Sequence, residues 1–304
     1  MSQRKIDYNK RKAAQYGWTP EWFGISAHNQ ALVDAIAKFQ TEEGLDADGM
    51  CGPTTFRRIW TRREEARDDV QIDTVSFAEY IIYNGARVKI FWDKVLTYNE
   101  PGGKKAGNGK YTSYAGKPPR NPSFFVTHWD VCLSSNSCYK VLEKRGISVH
   151  FGIDNDGTIF QWLDMQHAGW HAGGRTWNHR SVGVEISNAY SLKYQSWYER
   201  KGFGPRPVME GAKVHGKTCS THLGFYDVQL EALAALWEAV SYATGMPLAL
   251  PNTDNAVDPD CVRGDFKGFC NHYHLTKRKI DCASLDNDKV LRMALQLRER
   301  RYQS

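Results

Sequence analysis

Three short runs in the middle of the chain constrain its fold most: Phe124-Phe125-Val126, Ser148 to Ile153, and Val182 to Ile186. The first reads as a buried strand that ends at Thr127-His128-Trp129-Asp130. The second alternates, turns at Asn155-Asp156-Gly157, and returns through Thr158 to Leu163 as a hairpin. In the third, Val182, Val184 and Ile186 share one face, which puts Glu185 on the other. Two helical patterns follow. Tyr226, Leu230, Leu233, Trp237 and Val240 form an amphipathic stripe closed by Gly245 and Pro247, and Val290, Met293, Ala294 and Leu297 form another, capped by Asp286 or Asn287. Strands interleaved with helices predict an α/β layered domain.

The first third of the chain is organised differently. Leu32, Ile36 and Phe39 recur at helical spacing, and Gly44 ends that helix. Asp46 to Gly49 and Gly52-Pro53 are turn chemistry, after which Thr54 or Thr55 can cap a second helix that buries Phe56, Ile59 and Trp60. Residues 61–73, with Arg62, Arg63, Glu64, Glu65, Arg67, Asp68 and Asp69, read as a solvated helix or linker. Asn84-Gly85 marks a hairpin within residues 79–99, and residues 100–122, rich in Gly, Lys and Pro, read as an exposed loop. A chain of 304 residues is long enough for about two domains. The expected division is 1–66, a connecting stretch 67–120, and a main domain 121–304.

Composition narrows the function classes. Hydrophobic residues make up 41% and charged residues 24%, ordinary for a globular protein. No apolar run approaches the ~18 residues of a membrane-spanning helix, so stable membrane insertion is not expected. Met1 to Trp18 is polar and basic with no apolar h-region, so synthesis in a cytoplasm without a signal peptide is expected. The net charge of +6 favours a polyanionic partner. No nucleic-acid-binding motif accompanies it, so nucleic acid is not the expected one. The seven cysteines are too few for a disulfide scaffold, and their number is odd.

No HExxH, P-loop, GxSxG or CxxC pair is present. The chemistry-bearing candidates are His128, at the end of a rigid strand, and a loop that packs His272, His274, Asp281 and Cys282 together. Imidazole, carboxylate and thiolate are the groups zinc prefers, and a catalytic zinc keeps three protein ligands and an open position. The residues alone leave His272 or His274, and Asp281 or Cys282, as alternatives.

From about residue 120 to 285 the chain resembles the zinc-dependent N-acetylmuramoyl-L-alanine amidases, the group that includes peptidoglycan recognition proteins and phage amidase endolysins. Five blocks in that family's order carry the resemblance: Phe125 to His128, Val149 to Ile159, Gly169-Trp170-His171-Ala172-Gly173, Asn178 with Ser181 to Ile186, and Arg278 to Asp281. Residues 35–55, from Ala35-Ile36-Ala37-Lys38-Phe39-Gln40 to Gly52-Pro53-Thr54-Thr55, resemble the small three-helix peptidoglycan-binding domain. The resemblance implies a central mixed β-sheet flanked by helices, preceded by a small three-helix domain. It implies zinc on His128, His272 and Asp281, with Glu185 as general base and Lys279 stabilising the oxyanion. It places Trp129, His150, Trp170, His171 and Asn178 along the substrate groove. A zinc ion lowers the pKa of its water from ~15.7 toward ~7. The bond cut would be the amide between N-acetylmuramic acid and L-alanine in peptidoglycan. The protein would be a monomer of the phage endolysin type, acting on the wall in the periplasm or from outside; the alternative is a non-catalytic wall-binding protein. The resemblance also suggests a short disulfide between Cys132 and Cys138. Residues 190–225 depart from the family and read as an inserted loop over the groove, with His215, Cys219 and His222 offering a second metal site or, more simply, loop structure.

Overall fold

Three helices open the structure, a computed structural model that describes residues 2–66 and 76–303. The part of the charged 61–73 stretch beyond residue 66 therefore lies outside the described residues. Helix α1 (Ser2–Tyr16) has a weak apolar stripe that periodicity does not reveal; its buried Asn9 donates to the Gly49 carbonyl and accepts from Cys51 N. Helix α2 (Gln30–Glu42) starts where Asn29 Oδ1 accepts from Leu32 N at 3.1 Å, and it buries Leu32, Val33, Ile36 and Phe39. Gly44 follows it in the left-handed region, as expected. Helix α3 (Pro53–Glu65) begins earlier than expected. Gly52 is its cap and Pro53 its first residue, because a proline's fixed φ suits the first helical turn. Thr55 instead faces inward and accepts from Gln40 Nε2.

The hairpin at Asn84-Gly85 is present. β1 (Tyr80–Tyr83) and β2 (Ala86–Lys89) pair antiparallel, and both turn residues take positive φ, 52° and 74°. Asp164 fixes that turn by accepting from both of its backbone N–H groups. β3 (Val95–Thr97) follows, then β4 (Tyr111–Thr112). The 100–122 stretch is not simply exposed. Arg120 is buried and donates to the carbonyls of Met165, His179 and Ser181. Those carbonyls lie 45 and more residues away, which local composition does not reveal.

Next come β5 (Phe124–Trp129), α4 (Ser135–Arg145), β6 (Phe151–Ile153), β7 (Ile159–Gln161), β8 (Ala168–Gly169, paired with β4), α5 (Arg175–Arg180) and β9 (Ser181–Ile186). The inserted region carries α6 (Gln195–Arg200) and β10 (Val208–Met209); then a hairpin of β11 (Lys213–Val214) and β12 (Lys217–Thr218); then β13 (His222–Leu223), which pairs with β10. Buried Arg206 pins this region to the Ser187 and Gly224 carbonyls, between the rings of Tyr198 and Tyr226. Helices α7 (Asp227–Thr244) and α8 (Pro259–Arg263), strand β14 (Gly268–Asn271) and helix α9 (Asn287–Gln303) complete the chain. Asp286 caps α9 by accepting from Lys289 N.

The main sheet runs β14-β5-β9-β6-β7-β3, with every neighbour pair parallel except β6–β7, so it is mixed. Phe125, Phe269, Val182, Val184 and Ile186 share a core with Leu233, Leu236, Trp237 and Val240 of α7. That helix is buried on most sides rather than amphipathic, because α9 covers its back: Arg298 and Arg301 pair there with the fully buried Glu238 at 2.8 and 2.6 Å. Phe124, Val126 and His128 alternate onto the other face, as do Ser181, Gly183 and Glu185. Among the described residues no helix is long and apolar enough to cross a membrane.

Tyr16, Trp18, Leu32, Ile36 and Phe56 of the N-terminal helices form one buried cluster with Cys138, Val141, Leu142, Val149 and Trp162 of the sheet domain. Trp60 Nε1 donates to Ser137 Oγ at 2.8 Å and Thr61 Oγ1 to the Val131 carbonyl at 2.9 Å across the same seam. Cys132 and Cys138 lie beside each other there as free buried thiols, not as a disulfide. Phe56→Ala should therefore cost about 3–5 kcal/mol and lower the urea midpoint of the whole chain in one transition. A first transition confined to the N-terminal helices would contradict the shared core.

Candidate active site

β5 and β14 are parallel neighbours, with Val126 opposite Cys270 and Thr127 opposite Asn271. This register brings His128, near the end of β5, beside His272 in the short helical turn that follows β14. The chain returns to the same point when Tyr273 N donates to the Asp281 carbonyl at 3.1 Å. His128 Nδ1 lies 2.9 Å from His272 Nδ1 and 3.1 Å from Asp281 Oδ2, and His272 Nδ1 lies 3.0 Å from the same oxygen. All three side chains are buried. A tetrahedral zinc with bonds of ~2.0–2.1 Å holds its ligand atoms roughly 3.3 Å apart, so the triangle is close to the required size. Among the described residues no other trio of His, Cys, Asp or Glu side chains converges in this way.

The protonation states suit a cation as well. Burial alone would raise the Asp281 carboxyl, but His272 and the hydrogen bond from His128 hold it well below the usual carboxylate range. Burial lowers the His272 imidazole, against the pull of Asp281. A carboxylate beside a neutral imidazole is what a divalent metal requires of its ligands. The alternatives point elsewhere. His274 accepts from Asn271 N through Nδ1 and meets the Thr253 carbonyl through Nε2. Cys282 is enclosed in the apolar core under the sheet.

Behind His128, its Nε2 meets His171 Nδ1 at 3.0 Å, and His171 Nε2 reaches Ser181 Oγ at 3.3 Å. Asn178 Oδ1 accepts from the backbone of His171 and Ala172. The His171 ring packs against Gly183, where a Cβ would come within 2.4 Å of it. His171 therefore supports the His128 ring, and Asn178 fixes the backbone of His171. His150 is fully buried, bonded to Gly183 N, Arg120 and the His167 carbonyl, and has no surface to offer a substrate. Trp129 turns to the other side of the sheet and packs on Tyr190 and His222. Trp170 stays half-buried, its Nε1 donating to Thr112 Oγ1 at 3.0 Å. Lys279 has an exposed side chain, and its backbone carbonyl meets His215 Nε2 at 2.8 Å. His222, bonded to Ser220 and Ser284, is likewise occupied as loop structure.

Glu185 stands opposite His128 across the β5–β9 pair, on the same face of the sheet. It is 5% exposed, and among the described residues the one charge paired with it is Arg57 of α3, whose Nη2 lies 3.6 Å from Oε1. Oε2 is buried with no hydrogen-bond partner among the described residues. Sequence reasoning missed Arg57 because it lies in a segment that reads as a separate module.

Residues 118–281 match the N-acetylmuramoyl-L-alanine amidase family, and the chain belongs to it. It is thus an amidase of the class that acts on peptidoglycan. No curated protein matches the chain. Similar solved structures include the hydrolase AmiA of Staphylococcus aureus in complex with its ligand, at 13% identity and TM-score 0.40, covering 66% of this chain and 83% of that one. They also include the amidase LysC of Clostridium intestinale (16% identity, TM-score 0.37, 68% and 98% covered). A third is the Ph2119 endolysin of a Thermus scotoductus bacteriophage (16%, 0.37, 66% and 98%).

Gly183→Ala should displace the His171 ring from behind His128 and weaken metal affinity ~10–100-fold, read by competition with a chromogenic chelator; unchanged affinity would count against the His171 contact. Burial, with help from Arg120, pushes the His150 imidazole down to about 3. The unfolded chain therefore takes up the proton first as pH falls below ~6.5, and this group alone withdraws about 1.4 kcal/mol of stability per pH unit until its folded pKa is reached. His150→Asn should flatten the pH dependence of the urea midpoint between pH 6 and 4. The same slope in wild type and variant would contradict the neutral, buried imidazole.

Proposed function

We propose that the chain is a zinc amidohydrolase of the phage endolysin type, cutting the bond between the lactyl carbonyl of N-acetylmuramic acid and the nitrogen of L-alanine. The observation that carries this reading is the convergence of His128, His272 and Asp281 on one point, beside a buried glutamate with a free oxygen. Two imidazole nitrogens and a carboxylate oxygen are a donor set suited to zinc, and they leave a fourth position for chemistry. When bound there, zinc supplies Lewis-acid polarisation of the amide carbonyl and makes water a stronger acid.

The chain's own residues do the rest. Glu185 Oε2 accepts a proton from the attacking water as its oxygen bonds to the carbonyl carbon. As the C–N bond breaks, the same carboxyl returns the proton to the departing amine, leaving a lactyl carboxylate and a free L-alanine amino group. The Lys279 ammonium adds positive charge where the carbonyl oxygen becomes anionic. His171 and Asn178 hold His128 in its ligating orientation. Trp170 presents an indole face to sugar or peptide.

The N-terminal helices serve as the wall-binding part. A groove of about 450 Å³ on them is lined by Trp22, Phe23 and Phe39 with Lys38, Arg63, and Arg62 paired with Glu42 at 2.9 Å. Aromatic faces and cations together suit a polymer of sugars and acidic peptides. A wall-binding module fused to an amidase fits an enzyme of cell lysis better than one acting on soluble fragments.

Glu185→Ala should keep its zinc and lose ~10²–10⁴-fold in turnover, whereas His128→Ala should lose both. Metal content and the release of L-alanine amino groups from purified sacculi, with and without chelator, check this. Release that persists at the wild-type rate in Glu185→Ala would remove the glutamate from the mechanism.

A further inference from the structure

Among the described residues, the proposed general base takes its single direct ion pair from outside the sheet domain. Arg57 sits on α3, in the module that would grip the wall, and its Nη2 lies 3.6 Å from Glu185 Oε1. Its side chain is only 15% exposed. The same helix is locked to the sheet domain one turn on, where Trp60 bonds Ser137 and Thr61 bonds the Val131 carbonyl. Phe56, immediately before Arg57, is fully buried in the cluster common to both parts. The guanidinium therefore reaches the site from a seam built like a protein interior, not from a tethered neighbour free to swing away.

We propose that Arg57 is a positioning residue for Glu185, so that the N-terminal module completes the amidase site as well as binding substrate. The inference rests on the reading of Glu185 as general base. A buried glutamate has three side-chain torsions to fix and two oxygens to commit. Arg57 engages Oε1 and so leaves Oε2, the oxygen without a partner, to take the proton. A second guanidinium, Arg145 at the end of α4, feels the same carboxylate but makes no direct ion pair with it among the described residues. The opposite role, a plug that must withdraw before turnover, would require opening the apolar seam at every cycle.

The test uses the full chain, loaded with zinc, on peptidoglycan solubilised to disaccharide-peptides by a muramidase, which removes any effect of binding to the polymer. Arg57→Ala should lower kcat ~10²-fold, the scale of a misplaced catalytic group, with KM and zinc content unchanged. Arg57→Lys should recover part of that loss. Trp60→Phe, which breaks the seam bond on the same helix without touching Glu185, should keep kcat within about twofold of wild type. In the Glu185→Gln background, Arg57→Ala should cause no further fall, because the two residues act as a unit. Full activity in Arg57→Ala alongside an inactive Glu185→Gln would overturn the positioning role and leave the base intact. An equal fall in both backgrounds would overturn it too, as would higher activity in Arg57→Ala, the mark of a plug. An active Glu185→Gln would instead remove the base on which the inference stands. If Arg57→Ala does not fold, Arg57→Gln carries the same comparison at similar volume.

Discussion

Parallel pairing of β5 with β14 on one side and β9 on the other is the constraint on which the site depends. In parallel strands, register partners project to the same face. Setting His128 against Glu185, and the end of β5 against the turn after β14, therefore puts two histidines and a carboxylate in one small volume. A shift of one residue in either pairing would send His128 to the α7 face. What prevents the shift is the other face, where Phe125, Phe269, Val182, Val184 and Ile186 meet α7 in a closed core. The catalytic face is accurate because the apolar face has only one good fit.

A second dependence links the parts of the chain. The N-terminal helices lose much of their own core without Val141, Leu142, Val149 and Trp162 to cover them. Such a small unit buries little surface alone. Docking gives it stability, and also fixes Arg57 and the aromatic groove relative to His128, His272 and Asp281. Under the proposed function, binding and cutting would then be held in a set geometry.

Much of this was legible in the sequence. The alternation of Val182, Val184 and Ile186 with Glu185, and the hairpin turn at Asn84-Gly85, report local rules and appear as read. The convergence of His128, His272 and Asp281 was legible only through the order of several blocks, since no single spacing distinguishes His272 from His274. What stayed hidden depends on distant partners. Arg120 read as loop because the carbonyls that satisfy it lie beyond Asp164. His150 read as groove-lining because nothing local says that Gly183 and Arg120 enclose it. α3 starts at Pro53 rather than after Thr54, a matter of one proline, and Arg57 is anonymous in a helix until the seam closes.

In the proposed site two histidines and an aspartate, and no thiolate, hold zinc. X-ray absorption at the zinc edge of the loaded protein tests it directly. Nitrogen and oxygen scatterers alone are expected, at ~2.0–2.1 Å. A sulfur scatterer at ~2.3 Å, which would mean Cys282 in place of Asp281, or failure to take up one zinc per chain, would contradict it.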